Sequence, residues 1–171
     1  LDSPGPILYG SIRIGRNARR FTAWKFRSMV TNADEVIQEY LRQNPKEREE
    51  YERVHKLRQD PRVTRVGRFL RRTSLDELPK LWNVLLGDMS LVGPRPYAEY
   101  DFRDDNLEEF DLYYQVLPGL TGLWQVSGRA ETTFAERIAF DNYYVRNWSL
   151  WLDLYILART VWVVLFGRGA Y

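Results

Sequence analysis

Cysteine is absent from these 171 residues, and histidine occurs once, at His55. Disulfides, thiolate metal sites and a histidine-built zinc site are therefore excluded. Long uncharged apolar runs are missing too: none reaches the roughly 20 residues that a spanning helix needs. The nearest, SLWLDLYILARTVWVVLF at 149–166, contains Asp153 and Arg159, which favours a core helix or one lying at a membrane interface. Neither G-x-x-x-x-G-K-[ST] nor G-x-S-x-G occurs, which argues against a P-loop NTPase and an α/β-hydrolase. Internal repeats and low-complexity tracts are also lacking.

What is present suffices for one domain with a real core, since 44% of the residues are hydrophobic and 15% aromatic. The formal net charge of +2 hides a local concentration, because Arg62, Arg65, Arg68, Arg71 and Arg72 crowd into one segment. The chain opens on LDSPGP, which reads as the tail of a connection, so an upstream part is expected.

Along the chain, ILYGSIRI and RFTAWKF flank the turn signal Gly15-Arg16-Asn17 and predict a hairpin whose second strand delivers Lys25 and Arg27. A helix is expected from Ala33 to Gln43, and a polar surface helix restarts at Asn44-Pro45. From Val63 to Arg72, Val66, Phe69 and Leu70 mark one helical side and arginines the other. Leu78, Leu81, Trp82, Leu85 and Leu86 follow i, i+3, i+4, i+7, i+8 spacing and stop at Gly87, which predicts a core helix with a C′ glycine. LPGLTGLWQVSGR reads as a glycine-punctuated loop or short strand, FAERIAFDNYYVRN as a helix, and Ser149 as the cap of the last one.

The neighbouring acids Asp76 and Glu77 follow an arginine pair and precede Pro79. Ser74-Leu75-Asp76-Glu77 fits a capping box, but Pro79 would then sit inside the helix and lose a backbone bond. A start nearer Asp76 removes that conflict and places both carboxylates in or beside a first turn, where anions, phosphate included, are favoured. Adjacent helical residues point about 100° apart, so the two acids suit two tasks around one substrate. A carboxylate nucleophile and a carboxylate ligand for Mg²⁺ meet that requirement, with a phosphate or diphosphate beside the arginines as electrophile. Arg95, clamped in GPRP, is either a rigid turn or a site residue, and Arg129 after VSG either meets a phosphate or caps a loop.

Taken together, LDSPGP, KFRSM (25–29), DPRVTRVGRFLRRTSLDELPKLWNVLLGDMSLVGPRP (60–96), PGLTGLWQVSGR (118–129) and YYVRNWSLWLDLYILARTVWVVL (143–165) resemble the bacterial sugar transferases, the monotopic phosphoglycosyl transferases. The likeness runs through nearly the whole chain in the right order. It implies transfer of hexose-1-phosphate, galactose more than glucose, from a UDP-sugar donor to polyprenyl (undecaprenyl) phosphate at the cytoplasmic face of the bacterial inner membrane. It also implies a two-step reaction in which Asp76 attacks the β-phosphorus, Glu77 helps hold Mg²⁺ and Arg71 binds phosphate. Lys25, Arg95, Arg129 and Asp141 fall on motif positions of the active site. A hydrophobic re-entrant helix is expected upstream of LDSPGP.

The expected fold is α/β in the α+β sense: one helix-rich domain over 1–171 with a small N-terminal hairpin and helices at the membrane interface. Its expected partners are the donor, the lipid acceptor and the membrane surface. A homodimer through aromatic surface near the C-terminus is a further expectation. An inactive membrane-surface scaffold is the competing reading. Nucleic-acid binding needs a wider basic surface than a net +2 suggests.

Overall fold

A computed structural model describes residues 2–54, 57, 59–102, 110–127 and 132–166. His55 and Arg129 lie outside them. Strands β1 (Leu8–Ile14) and β2 (Arg20–Phe26) form the expected antiparallel hairpin, with Tyr9 opposite Lys25. Its turn takes Asn17 and Ala18 through the left-handed region, both at φ 57°. Helices α1 (Ala33–Gln43) and α2 (Pro45–Val54) follow, with Pro45 opening the second, where a missing N–H costs nothing.

Helix α3 (Arg65–Arg72) starts under the Thr64 side chain, which accepts from Gly67 N at 2.9 Å, and the Asp2 carboxylate accepts from Val66 N at 2.9 Å. Its packed side is Gly67, because the helix presses directly on the Ser28 carbonyl; a Cβ at Gly67 would stand 2.0 Å from that oxygen. Val66 and Phe69 are exposed.

Helix α4 (Lys80–Leu85) overturns the expectation of a core helix. Its spacing is helical and Gly87 ends it at φ 77°, but Leu78, Leu81, Trp82, Leu85 and Leu86 all face outward, Leu85 at 78% exposure. The buried side chains are Lys80 and Asn83. Asn83 acts as a surrogate strand: its Oδ1 accepts from Trp24 N at 3.1 Å and its Nδ2 donates to Thr22 O at 2.8 Å. A buried amide satisfied on both sides is stable there, and it fixes α4 to the edge of β2.

Strands β3 (Ser90–Val92) and β4 (Gly119–Thr121) pair in parallel. The segment expected as a glycine-punctuated loop or short strand contains that strand, β4, but continues as helix α5 (Leu123–Ser127); glycines bracket the helix and hide its period. Helix α6 (Phe134–Arg146) carries a Thr133–Glu136 capping box. Helix α7 (Leu150–Phe166) has Leu152 N donating to Ser149 Oγ at 3.2 Å, the expected cap.

Three clusters make the core. Phe21, Ala23 and Met89 join the hairpin to the end of α4; Tyr97, Phe110, Tyr113 and Ile138 tie the loops to α6; Val92, Val126, Tyr144 and Ile156 seat α7 on β3 and α5. Each fully buried aromatic contributes about 2–3 kcal/mol. The mixed α/β single domain matches the expectation. Among the described residues no helix is long and apolar enough to cross a membrane. Helix α7 buries Ile156 yet exposes Trp151, Val161, Trp162, Leu165 and Phe166.

Candidate functional site

Asp76 and Glu77 stand not in a capping box but in a single 3₁₀ turn just ahead of the α-helix. Ser74 is left-handed at φ 56° with no side-chain cap bond, and residues Leu75–Glu77 form a 3₁₀ turn. Pro79 explains this: it offers no N–H to the Leu75 carbonyl, so Leu78 N takes that carbonyl at 3.2 Å and the chain tightens to i→i+3 bonds. The α-helix begins only at Lys80. A short helix starting after the acids supplies no anion-binding dipole to them, so the charges around them must come from side chains.

Those charges are lysines. Lys25 Nζ donates to Glu77 Oε1 at 2.6 Å, and Lys80 Nζ forms an ion pair with Glu77 Oε2. Burial alone would raise the Glu77 pKa, but Lys80 and Lys25 outweigh it and hold the carboxyl at about 2. Lys80, 7% exposed, is lowered to about 8 by burial and by the nearby Lys25 charge. Asp76 is 8% exposed and forms no ion pair among the described residues. Its pKa is raised, first by burial and then by the adjacent Glu77 charge, against the pull of Lys25 and Arg71. Environment thus pushes the two acids apart: one is ionised down to about pH 2 and ion-paired, the other is more basic and outside any ion pair among the described residues.

The KFRSM segment organises this arrangement residue by residue. Lys25 reaches Glu77 from the end of β2. Arg27 gathers the N-terminal segment, donating to Ser3 Oγ at 2.6 Å and to the Pro6 carbonyl at 2.6 Å. Ser28 anchors α3, its carbonyl accepting from Thr64 N at 3.1 Å and its Oγ from Arg71 Nε at 2.9 Å. Arg71 is thereby held within electrostatic reach of Asp76 and Glu77.

Arg95 comes from the GPRP turn, which is laid against PGLTG: Gly93 N donates to Thr121 O at 3.0 Å and Gly119 N to Pro94 O at 2.7 Å. Glycine is required where these strands of loop meet, since a Cβ on Gly119 would stand 2.2 Å from Gly93 N. The Arg95 guanidinium lies over the Trp124 ring at 5.4 Å and feels Glu77. Asp141, 3% exposed on α6, sits behind it, accepting from Tyr97 Oη at 2.7 Å and from the Arg95 backbone. Burial raises its pKa to about 7.

Of the residues expected at a site, the structure joins Lys25 to Glu77 directly and sets Asp76 within electrostatic reach of Lys25. Arg71 and Arg95 lie within electrostatic reach, and Asp141 supports the Arg95 turn from behind. Lys80, Asn83 and Tyr97 escaped sequence reasoning. Lys80 and Asn83 stand three apart on the side of α4 opposite its leucines, a polar pair that fits either an exposed face or, as here, a buried one. Among the described residues no group of three or more metal-ligating side chains occurs. The acids nevertheless suit Mg²⁺, which takes one or two carboxylates plus substrate phosphate. Glu77 Oε1 accepts from Lys25, while Oε2, though ion-paired with Lys80, is buried without a hydrogen-bond partner, so lone pairs remain for a cation.

Residues 1–167 match the family described as bacterial sugar transferase. The chain is 53% identical over 167 residues to the undecaprenyl-phosphate galactose phosphotransferase of Salmonella typhimurium, covering 98% of this chain and 35% of that protein. It is 52% identical over 170 residues to the UDP-galactose-lipid carrier transferase of Erwinia amylovora, covering 99% and 35%. With the UDP-glucose:undecaprenyl-phosphate glucose-1-phosphate transferase of Escherichia coli, identity is 41% over 179 residues, covering 100% and 35%. The chain spans about a third of the length of these relatives. With its family match running through all but the last four residues, the chain belongs to the bacterial sugar transferases.

Proposed function

We propose that this chain is the catalytic part of an enzyme that transfers hexose-1-phosphate from a UDP-hexose to undecaprenyl phosphate, as a membrane step of bacterial polysaccharide synthesis. The observation that carries the reading is the division between the two acids: Glu77 is clamped between Lys25 and Lys80, while Asp76 is buried, raised in pKa and outside any ion pair among the described residues.

In the first step a carboxylate oxygen of Asp76 attacks the donor's β-phosphorus. The bond from that phosphorus to the bridging oxygen breaks, UMP leaves, and a phosphosugar remains on Asp76 as a mixed anhydride. In the second step an oxygen of undecaprenyl phosphate attacks the same phosphorus and the anhydride bond breaks. The carboxylate is restored and the lipid carries a diphosphate-linked sugar. Lys25, Lys80, Arg71 and Arg95 neutralise the phosphate oxygens, on which charge is spread as the bonds exchange. Burial makes Asp76 a better nucleophile once ionised, and the nearby Lys25 and Arg71 charges oppose the rise in its pKa.

Glu77, with Asp76 beside it, would hold Mg²⁺ against the diphosphate. The metal when bound neutralises phosphate charge. The outward leucines and Trp82 of α4, together with the exposed aromatic face of α7, rest on the cytoplasmic leaflet of the inner membrane, placing the acids beside the lipid phosphate. Neighbouring arginines add roughly 1 kcal/mol each on an anionic surface.

Galactose is the proposed sugar, since two relatives at 52–53% identity are named for it and two named for glucose stand at 41%. The test is UMP release by the full-length protein given undecaprenyl phosphate and either UDP-galactose or UDP-glucose. Faster release from UDP-galactose is expected. Release from neither donor would return the acids to a structural role.

A further inference from the structure

Arg137 acts electrostatically on Asp141 and lies against the same ring as Arg95. It lies on α6 one turn before Asp141, and that i, i+4 spacing puts both on one face. Its guanidinium is 4.2 Å from the centroid of Trp124, the ring that Arg95 also covers at 5.4 Å. The indole is itself fixed, because Trp124 Nε1 donates to Thr132 Oγ1 at 2.6 Å. Among the described residues Arg137 makes no ion pair, and its Nε is buried without an acceptor. Two guanidinium groups on one aromatic platform repel each other, and a buried N–H without a partner is costly. An oxyanion beside them relieves the repulsion, since a guanidinium held against a ring still offers its edge N–H groups.

The cations form a sequence. Arg71 and Lys25 act on Asp76, Lys25 and Lys80 hold Glu77, Arg95 feels Glu77, and Arg137 adjoins Arg95. The transferred phosphorus belongs at the Asp76 end. The group in line with Asp76 on the far side of that phosphorus is the nucleoside monophosphate in the first step and the lipid phosphate in the second. Both displacements use this apical position, so one phosphate subsite serves twice.

We propose that Arg137 and Arg95, arranged around Trp124, form this shared apical phosphate subsite, occupied first by the departing phosphate of UMP and then by the phosphate of the lipid acceptor. This rests on the two-step reading above and adds Arg137 as a binding residue for it.

The experiment compares the full-length protein with Arg137→Met, which keeps an apolar contact on Trp124, and with Arg137→Lys, which keeps the charge. UMP and uridine are titrated directly onto each protein, undecaprenyl phosphate is titrated as a competitor of UMP, and its KM is measured in turnover. Loss of a charge-assisted phosphate contact weakens binding roughly ten- to a hundredfold. In Arg137→Met, UMP affinity and acceptor affinity should fall together by such a factor, with uridine binding unchanged and the thermal midpoint not lowered; Arg137→Lys should recover part of both affinities. A factor that falls for one phosphate only, or for neither, overturns the shared subsite, as does uridine weakening as much as UMP. If Arg137→Met does not fold, Arg137→Lys alone decides, by whether the two affinities move in parallel. The binding titrations need no turnover, so an inactive wild type would overturn the transferase reading while the subsite is still judged by competition.

Discussion

Lys80 Nζ is paired with one oxygen of the Glu77 carboxylate while Lys25 holds the other at 2.6 Å. Two ammonium groups on one carboxylate leave a net positive charge beside Asp76, a ready place for a phosphate. Removing one lysine therefore tests stability and binding at once. Lys80→Met should cost about 1–2 kcal/mol, less than breaking an entire buried pair because Lys25 remains, and should raise the donor KM more than it changes kcat. Calorimetry and initial rates measure the two effects.

The same pair predicts acid sensitivity. Glu77 is held at about 2 against an ordinary 4.5, so the unfolded chain binds its proton first. That contribution to stability is present above about pH 4.5 and is lost as pH falls toward 2. Thermal midpoints from pH 5 to pH 2 should fall less steeply in Lys80→Met than in wild type.

Asp141 has the opposite sign. Burial raises its pKa from 3.8 to about 7, so between these values the folded state holds a proton that the unfolded chain has released. Stability contributed by Asp141 therefore declines as pH rises from about 4 to 7 and levels off above. Asp141→Asn should flatten that part of the stability profile by a few kcal/mol at most. Since Tyr97 and the Arg95 backbone bond to this carboxyl, donor affinity should fall as well. Denaturant melts across the pH range, with donor KM at neutral pH, check both.

Gly67 lets α3 touch the Ser28 carbonyl. Gly67→Ala places a methyl 2.0 Å from that oxygen, and neither side is a flexible side chain that can yield. The helix must move, taking Arg71 off Ser28. A loss of roughly 1–3 kcal/mol is expected, with transfer activity falling even where the protein stays folded. A thermal melt beside an activity assay reveals this.

The outward face of α4 should matter to membranes and hardly to folding. Leu85 is 78% exposed and Trp82 59%. Replacing both by Glu should change stability by about 0.5 kcal/mol or less per site and should weaken binding to anionic lipid vesicles severalfold or more. Flotation of the full-length variants with such vesicles reports the binding; a melt reports the fold.

Local signals were legible where the chain alone determines the outcome. The hairpin around Asn17, helices α1 and α6, the Ser149 cap and the Gly87 stop all follow from propensity, capping and turn chemistry. Orientation was not. Helical spacing tells which residues of α4 share a face, but not that Asn83 would seat the polar face on β2 and turn the leucines outward. The neighbouring acids drew attention as a pair; their inequality arises from Lys80 and Lys25, and Lys25 is 52 positions away in sequence. Tyr97 and Arg137 escaped notice for the same reason, since their meaning lies in partners that only the fold supplies.

The most direct test of the division between the acids is to incubate the full-length protein with UDP-galactose and Mg²⁺ in the absence of lipid, quench in acid and map adducts by mass spectrometry. One hexose phosphate is expected on Asp76, absent in Asp76→Asn and still formed, more slowly, in Lys80→Met. An unmodified Asp76 in a protein that releases UMP only once undecaprenyl phosphate is added would contradict this, because transfer would then pass directly between the two substrates.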